Sequence, residues 1–367
     1  MIPFVDLQAQ YKKIKKEIDI AIQAVVDEVA FYKGRYVGEF EERFAEFIGV
    51  KYCIGVANCT DALEIALGAC RINLLKDSEV ITTAHSFIAT SEAITAAAAK
   101  IVFVDIDEKT YNLDVEKIEE KITSKTKVLL PVHLYGRAIA MDKISYVAEK
   151  YNLFVVEDCA QACGAEWGEK KVGSFGDVGC FSFYPSKNLG AYGDAGAVVT
   201  NDKRIADFVR KIANHGGLRK YEHKLEGRSS RLDGLQAAIL NVKLNYIEEW
   251  NKKRYNNACI YKHYLKDESR IILPEIPEFG EHVFHLFVIR IKDRDRIRLI
   301  LGKKGIETGI HYPIILPNLE AYDYLEHTLG DFSVANKIQD EILSLPMYPE
   351  LTEKQIEYIC ETLKEVL

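Results

Sequence analysis

The sequence has little that points to export, a membrane or nucleic acid. It lacks the basic start and apolar run of a secretory signal. Its most apolar patch, around Ala93 to Ala99, is far shorter than the roughly 20 residues of a membrane-spanning helix. Its 48 Lys and Arg are outnumbered by 55 Asp and Glu, so it has no basic excess to neutralise a phosphate backbone. We therefore expect a cytoplasmic protein that binds neither nucleic acid nor a membrane.

The sequence also lacks a zinc-binding cysteine pattern and a dinucleotide-binding glycine turn. The chain has 8 cysteines, but Cys159 and Cys163 are too widely spaced for a zinc knuckle and no second pair follows. Without an export signal, reduced thiols are expected, and we interpret these two cysteines as small buried residues. We expect no metal site. The early strands are not followed by a Gly-x-Gly-x-x-Gly turn, which argues against a dinucleotide-dependent oxidoreductase.

Helical periodicity indicates how the chain is divided. Apolar residues recur at helical spacing over 14–29, 37–48 and 233–253, and the last of these predicts one long helix leaving a large domain. We expect that large domain to cover residues 1–245 and a smaller α+β domain to cover 246–367. In the small domain we predict strands at 283–291 and 306–311, a helix at 293–303 and a last helix after Thr352.

Seven short apolar runs alternate with helical stretches in the large domain. Runs buried on both faces that alternate with helices predict an α/β fold with a mixed, mostly parallel seven-stranded sheet. Less helical material separates the last three runs, so we expect a departure from parallel order there. The runs are Tyr52–Ala57, Val80–Thr83, Ile101–Asp105, Val128–His133, Phe154–Glu157, Gly179–Phe183 and Ala197–Thr200.

Candidate ligand contacts follow the first two runs, because ligands of α/β sheets lie beyond the carboxyl ends of strands. Thr60 or Asp61 would cap the helix after the first run, and the free N–H groups of such a helix end can bind phosphate. An ordinary cap without a ligand is the alternative. Phe87, after the second run, is either a ring that stacks on a flat ligand or a core residue.

The fifth run ends at Glu157 and is followed directly by Asp158, so two carboxylates are adjacent at this strand end. Alternation places Glu157 and Asp158 on opposite faces of the sheet, so one of them can reach a ligand. An ionised carboxylate beside a ring nitrogen keeps it protonated, which pyridoxal phosphate needs in order to act as an electron sink. Gln161 would then donate a hydrogen bond to the phenolic oxygen of the ring. A structural Asp that caps the next helix is the alternative.

Lys187 lies where the sixth run passes through a proline into a glycine-rich turn. Its place between apolar runs indicates a lysine held in a cleft rather than on the surface. A partly desolvated lysine has a lowered pKa and can act as a nucleophile and base. Ser182 is placed to hold a phosphate. The order of phosphate turn, Asp158 and Lys187 along the chain favours a single pyridoxal phosphate site.

These segments resemble those of the DegT/DnrJ-type sugar-nucleotide aminotransferases, over essentially the whole chain. The resemblance implies the aspartate aminotransferase fold, known as fold type I of pyridoxal phosphate enzymes. It also implies a homodimer in which each subunit completes the other's active site. The segments that carry it are Ile2–Leu7, Val132–Gly136, Glu157–Ala162, Phe181–Asn188, Ser230–Ala238 and Ser344–Met347.

The resemblance also implies residue roles. Lys187 would form the Schiff base with the cofactor, and Asp158 would pair with the pyridine nitrogen. The remaining cofactor contacts would be Gln161 at the phenolic oxygen, Phe87 against the ring, and Cys59, Thr60 and Ser182 at the phosphate.

Two positions depart from the family pattern. Cys59 replaces the usual Gly of the phosphate turn, so the turn must avoid a positive φ or accept strain. Ser229 replaces the usual Asn that reaches the partner's cofactor phosphate, and a serine hydroxyl reaches less far.

The reaction implied by the resemblance is a two-stage amino transfer. Glutamate would leave its amino group as pyridoxamine phosphate and depart as 2-oxoglutarate, and a keto sugar would then take the amino group. Lys187 argues against the related sugar dehydratases, which carry His at this position. Retention of Lys187 and Asp158 argues against a purely regulatory or binding relative, the alternative of another class.

The sequence around the lysine, Phe183–Gly190, indicates a class of substrate. It is similar to the corresponding segment of enzymes that act on dTDP-linked 3-keto-6-deoxy sugars. A 4-keto sugar or a UDP-linked keto sugar is the alternative. Candidate sugar contacts are Tyr184, His311 and Tyr312, and the stretch with Arg219, Tyr221 and His223 is the candidate for the diphosphate. For each of these residues a surface or packing role is the alternative.

Overall fold

A seven-stranded sheet forms the centre of the molecule, of which the computed structural model describes residues 1–70, 77–219, 221–328 and 330–367. The strands are β1 Tyr52–Val56, β2 Glu79–Thr83, β3 Lys100–Val104, β4 Thr126–Leu130, β5 Phe154–Asp158, β6 Glu166–Trp167, β7 Lys170–Lys171, β8 Val178–Ser182 and β9 Gly196–Thr200. Their order across the sheet is β1-β9-β8-β5-β4-β2-β3, and β6 and β7 form a separate hairpin.

All seven apolar runs form strands of this sheet. Strand β9 pairs antiparallel with both β1 and β8, and the pairs β8–β5, β5–β4, β4–β2 and β2–β3 are parallel. The predicted departure from parallel order is therefore confirmed. An antiparallel return from β8 to β9 needs no crossover helix, which leaves that connection free to carry Lys187.

Helices cover both faces of the sheet. The α-helices that precede the C-terminal sheet in the described part of the chain are α1 Leu7–Asp27, α2 Arg35–Ile48, α3 Cys59–Ala69, α4 Ala89–Ala96, α5 Met141–Tyr151, α6 Lys203–Ile212, α7 Gly234–Leu244 and α8 Ile247–Leu265. Helix α1 packs on α7, and α8 leads to the C-terminal part. In the part of the chain that the structure describes, none of the helices is both long and apolar enough to cross a membrane.

Helix α2 fixes the strand that leads to Lys187. Phe40 and Phe44 lie one helical turn apart and are fully buried. The ring of Phe44 packs edge-on against Phe181 and Phe183, with 5.1 Å between ring centroids in each pair. Each buried Phe contributes about 1.5–3 kcal/mol to stability. The aromatic cluster therefore holds the end of β8 firmly against α2.

Two of the helices predicted from the sequence differ from those in the structure. Helix α1 begins at Leu7 because the Asp6 side chain accepts a hydrogen bond from the Ala9 N–H at 2.8 Å, well before the apolar repeat starts. The predicted helix over 233–253 is two helices, interrupted at Asn245 and Tyr246, and the second continues past residue 253 to Leu265. Apolar spacing continues through that interruption, so periodicity gave no sign of it.

The C-terminal part contains a three-stranded antiparallel sheet in the order β10-β11-β12, covered by helices. Its elements are β10 Ile271–Ile272, β11 Phe287–Ile291, α9 Arg294–Lys303, α10 Ser333–Gln339, β12 Ile342–Leu345 and α11 Glu353–Val366. The predicted helices at 293–303 and after Thr352 are confirmed.

The predicted strand at 306–311 is wrong, and the one at 283–291 begins too early. Ile306 and Gly309 each make a single bridge, to Ile2 and Ser344 respectively, without a continuous ladder. The third strand is β12 instead. Ile2 also packs in the C-terminal hydrophobic cluster. The domain division after residue 245 stays a prediction.

Candidate active site

A cavity of about 660 Å³ lies at the carboxyl ends of the parallel strands. This size is usual for small-molecule sites. The C-terminal part also contributes to this cavity, because His285 and residues 311–312 line one side of it. Of the residues that the sequence singled out, the cavity is lined by Cys59, Thr60, Phe87, Asp158, Gln161, Ser182, Tyr184, Lys187, His311 and Tyr312.

The N-terminus of α3 forms the anion-binding end of the cavity. Neither Thr60 nor Asp61 caps this helix, as the sequence had suggested. The cap is Asn58, whose side chain accepts a hydrogen bond from the Asp61 N–H at 2.8 Å. The N–H groups of Cys59 and Thr60 therefore face outward from the first turn without an intrahelical acceptor. Together with the helix dipole they make a seat for phosphate.

Cys59 causes no backbone strain in this turn. It is the first residue of α3 and does not have a positive φ, so the absence of the usual Gly costs nothing in conformation. Glycine is required instead at Gly196, the first residue of β9. A Cβ at Gly196 would lie 2.5 Å from the carbonyl carbon of Asn58. Close packing of β9 against the cap thus positions the phosphate seat.

Of the two adjacent carboxylates at the end of β5, Asp158 is the one that faces the cavity. It is buried, and its Oδ1 accepts a hydrogen bond from the Ala160 N–H at 3.1 Å while its Oδ2 accepts one from the Thr90 hydroxyl at 2.8 Å. Burial raises the pKa of this carboxyl, and the two hydrogen bonds oppose the rise. These contacts hold an ionisable group in place at the floor of the cavity.

Glu157 points to the other face, as alternation predicts. Its two oxygens accept hydrogen bonds from the N–H groups of Gly173, Phe175 and Gly176 at 2.7–2.9 Å. His133 lies 3.1 Å away through Nε2, while its Nδ1 accepts the Ile139 N–H at 3.2 Å. The Nε2 of a neutral His133 is therefore the protonated nitrogen, and it donates to Glu157. Glu157 is occupied in fixing the loop behind β5.

The amine of Lys187 faces the same cavity as Asp158. Within the described ranges of the chain it has no hydrogen-bond or ion-pair partner. Burial lowers its pKa, and the nearby Cys59 and Asp158 oppose this effect. A desolvated amine without a partner has the properties needed for a nucleophile and a base.

Hydrogen bonds hold the turn that carries Lys187 in place on both sides. The backbone N–H of Lys187 donates to the Tyr184 carbonyl at 2.8 Å. The buried Lys243 of α7 donates through Nζ to the Gly190 carbonyl at 2.6 Å. The Asn188 side chain donates to Asn251 of α8 at 2.8 Å. The lysine therefore projects from a fixed backbone, which sequence spacing could not reveal.

Aromatic and amide groups form the opposite wall. Phe87 is about half exposed, and its ring centroid lies 5.7 Å from that of Tyr312. The Gln161 amide accepts the Tyr135 N–H at 2.6 Å and donates to the Tyr312 hydroxyl at 3.0 Å. Since a side-chain amide has two N–H donors, one of them stays available for a ligand.

Four predicted contacts lie outside the cavity of their own chain. Arg219, Tyr221 and His223 are exposed, and the stretch includes Lys220, which is outside the described residues. His223 Nδ1 is 2.7 Å from the His215 carbonyl. Ser229 is also exposed and accepts a hydrogen bond from Arg231 at 2.8 Å. A single chain does not bring these residues to the lysine.

Sequence reasoning missed Ser86, Thr90 and His285, which also line the cavity. Ser86 lies in the bend after β2 and Thr90 in the first turn of α4, and no local sequence pattern marks either as a neighbour of Asp158. His285 precedes β11 in a segment without regular structure, and nothing local marked it.

The residues present fit pyridoxal phosphate. The cavity combines a phosphate seat at α3, a buried carboxylate for a ring nitrogen, and an unpaired amine for a carbonyl. Thr60 and Ser182 offer hydroxyl groups near the seat, and Phe87 offers a ring for stacking.

Comparison with known proteins agrees with this chemistry. The sequence model of the DegT/DnrJ/EryC1/StrS aminotransferase family matches residues 12–364. A dTDP-3-amino-3,6-dideoxy-alpha-D-galactopyranose transaminase of Aneurinibacillus thermoaerophilus is 44% identical over 361 residues, covering 98% of each chain. The Pleiotropic regulatory protein of Geobacillus stearothermophilus is 40% identical over 366 residues, covering 99% of this chain and 98% of that one.

A solved structure extends the likeness to three dimensions. DesV of S. venezuelae, in complex with a ketimine intermediate, superposes with a TM-score of 0.95 at 37% identity, over 99% of this chain and 98% of that chain. The expected aspartate aminotransferase-like fold is thereby confirmed. The chain belongs to the DegT/DnrJ/EryC1/StrS aminotransferase family and is a pyridoxal phosphate-dependent aminotransferase.

Proposed function

We propose that the protein transfers an amino group from glutamate to a keto group of a nucleotide-linked sugar. The observation that carries the proposal is one cavity that joins the unpaired amine of Lys187, the buried carboxylate of Asp158 and the free N-terminus of α3. The name of the 44% identical relative, a transaminase for a dTDP-linked amino sugar, supports the substrate class.

Each group in the cavity has a definite task. The N–H groups of Cys59 and Thr60 and the hydroxyl of Ser182 bind the cofactor phosphate. The carboxylate of Asp158 holds a proton on the ring nitrogen. When bound, pyridoxal phosphate supplies a carbonyl for the amino group and a ring that delocalises the electron pair of a deprotonated carbon.

Lys187 has two tasks, which its environment makes compatible. Its amine would hold the cofactor covalently. After an amino donor takes that place, the Nζ atom would accept a proton from the carbon that bears the amino group. Burial lowers the pKa of this amine, which favours the unprotonated form that a general base needs.

For the keto sugar we favour a dTDP-linked 3-keto-6-deoxy sugar, with a 4-keto or a UDP-linked sugar as the alternative. Tyr184 and Tyr312 offer hydroxyl groups at the cavity wall. Burial lowers the pKa of His311 to about 4. His311 therefore stays neutral and meets sugar hydroxyls as a hydrogen-bonding group rather than as a charge.

We also propose a cytoplasmic homodimer, and the exposed segment outside the cavity supports the dimer. Tyr221 is 81% exposed, and the apolar side chains of Phe31, Tyr32 and Leu218 are exposed as well. Exposed apolar groups of this kind mark contact surfaces. In the dimer, Ser229 approaches the partner's cofactor phosphate, and Arg219, Tyr221 and His223 approach the sugar diphosphate.

The test is product formation from matched substrates. The purified enzyme, loaded with pyridoxal phosphate and glutamate, is incubated separately with dTDP-linked 3-keto, dTDP-linked 4-keto and UDP-linked 3-keto sugars, and the amino sugars are measured by mass spectrometry. We expect the dTDP-linked 3-keto sugar to have the highest kcat/KM. No amination of any of the three, despite conversion of glutamate to 2-oxoglutarate, would refute the sugar-nucleotide assignment.

A second candidate, a regulatory protein without catalysis, is raised by the name of the Geobacillus stearothermophilus relative. Failure of glutamate to yield 2-oxoglutarate would favour it. Retention of both Lys187 and Asp158 in a complete cavity supports the enzyme instead.

A further inference from the structure

The Thr90 hydroxyl, in the first turn of α4, and the Ser86 hydroxyl, in the bend before that helix, form a chain to the carboxylate of Asp158. Thr90 Oγ1 lies 2.8 Å from Asp158 Oδ2, and Ser86 Oγ lies 2.8 Å from Thr90 Oγ1. Thr90 and Ser86 are 1% and 4% exposed, so bulk water does not replace either contact. The three polar groups form a buried chain at the floor of the cavity.

The direction of this chain follows from the number of protons available. An ionised carboxylate only accepts hydrogen bonds, and a hydroxyl has a single proton to donate. Thr90 must therefore give its proton to Asp158 and accept the proton of Ser86. Hydrogen bonds aligned in this way polarise one another in a low-dielectric interior.

The charge of Asp158 depends on these donors. Burial raises the pKa of its carboxyl, so the buried site by itself favours the neutral acid. The Thr90 hydroxyl and the Ala160 N–H are the two donors that offset this burial in the described structure. The other titratable groups that act on the carboxyl or lie beside it are Lys187, His133, Cys59, Cys159, Cys180 and Tyr312.

We propose that Thr90 is a positioning residue for the cofactor ring: it keeps Asp158 ionised and oriented toward the ring nitrogen, and Ser86 orients the Thr90 hydroxyl. The inference rests on the proposed role of Asp158. Thr90 does not touch the reacting atoms in this account, and it acts only through the carboxylate.

The experiment compares two ligands on the protein stripped of cofactor. One is pyridoxal phosphate, and the other is its 1-deaza analogue, in which a C–H group replaces the ring nitrogen. Both bring the same phosphate and the same aldehyde for Lys187, so they differ only at the atom that Asp158 meets. The variants are Thr90→Val, which keeps the volume without the hydroxyl, Thr90→Ser, which keeps the hydroxyl, and Ser86→Ala.

A matched control is Thr82→Val. Thr82 is buried in β2 and donates its hydroxyl to the Leu130 carbonyl at 2.8 Å, away from Asp158. This variant also loses a buried threonine hydroxyl, but from a position that does not contact the carboxylate. Thermal melts of the two valine variants show whether either has lost its fold.

We expect Thr90→Val to bind pyridoxal phosphate about tenfold or more weakly, because a hydrogen bond to a charged group is lost. Its affinity for the deaza analogue should stay within about twofold of the wild type, since the charge of Asp158 gives no benefit there. Thr90→Ser should restore most of the affinity, Ser86→Ala should lose part of it, and Thr82→Val should match the wild type.

The pH dependence gives an independent reading. Loss of the donor raises the pKa of Asp158, so the affinity for pyridoxal phosphate falls at a higher pH in Thr90→Val than in the wild type as the solution is acidified. An equal loss for both ligands would overturn the proposal, since it indicates a change in cavity shape. An unchanged affinity would also overturn it. A wild type that binds both ligands equally well would instead refute the role of Asp158.

Discussion

The replacement Lys243→Met gives a stability prediction that can be worked out from the structure. Lys243 is fully buried in α7, and its amine donates to the Gly190 carbonyl and lies 4.4 Å from the centre of the Tyr192 ring. Methionine has a similar length without the amine. The change therefore removes a buried titratable group from beneath the turn that carries Lys187.

The magnitude follows from the pKa of this lysine. Burial lowers the pKa of Lys243 from 10.5 to about 7, and Glu350 opposes the effect. Because the folded pKa lies below the unfolded one, the unfolded chain binds more protons between pH 7 and 10. Stability then rises with pH, by about 1.4 kcal/mol per pH unit. From pH 7 to 9 the gain is about 2–3 kcal/mol, and below pH 7 the contribution levels off.

The assay is urea unfolding of the wild type, Lys243→Met and the control Lys252→Met at pH 7, 8 and 9. Lys252 is exposed in the neighbouring helix α8, so its loss should leave the pH slope unchanged. Cysteines and tyrosines titrate alike in all three proteins, so their contributions cancel when the unfolding free energies of two proteins are subtracted. We expect the stability of the wild type relative to Lys243→Met to rise by about 2–3 kcal/mol over this range. Parallel curves would refute the reasoning.

Three further substitutions test other parts of the account. Asp158→Asn should lower the rate of the glutamate half-reaction by at least about 100-fold, because the ring nitrogen loses its charged partner, and stopped-flow absorbance measures this; a wild-type rate would exclude that role. Asn58→Ala should cost about 1 kcal/mol in urea unfolding and weaken pyridoxal phosphate binding, because the helix cap beside the phosphate is lost; unchanged binding would place the phosphate elsewhere. Phe44→Ala should cost about 3–5 kcal/mol in the same unfolding assay, because it opens a cavity among buried rings; a cost under about 1 kcal/mol would contradict the packing described for β8.

The central sheet could be predicted because each of its strands is an apolar run with its own boundaries. Strands β8 and β9 are buried at every residue, which makes their runs continuous. Strand β12 was missed because it is short and contains Ser344. The segment at 306–311 alternates like a strand, but it has only single bridges to pair with. Pairing is a tertiary property that alternation does not report.

The same limit applies to the site. Lys187 and Asp158 stand out in the sequence because Asp158 ends a strand beside a second carboxylate and Lys187 follows a strand at the start of a glycine-rich turn. The cap of α3 could not be assigned, since Asn58, Thr60 and Asp61 are all good cap residues and only the backbone decides among them. The contact between Thr90 and Asp158 joins α4 to β5, and it exists only once β2, β4 and β5 are side by side.

The central claim is that Lys187 binds the cofactor covalently, and one measurement tests it most directly. The protein is loaded with pyridoxal phosphate, reduced with borohydride, digested and mapped by mass spectrometry, with Lys187→Ala as the control. The account predicts a single modified peptide that carries the cofactor on Lys187, and no stable label in the variant. A label on another lysine, or equal labelling of the variant, would contradict it.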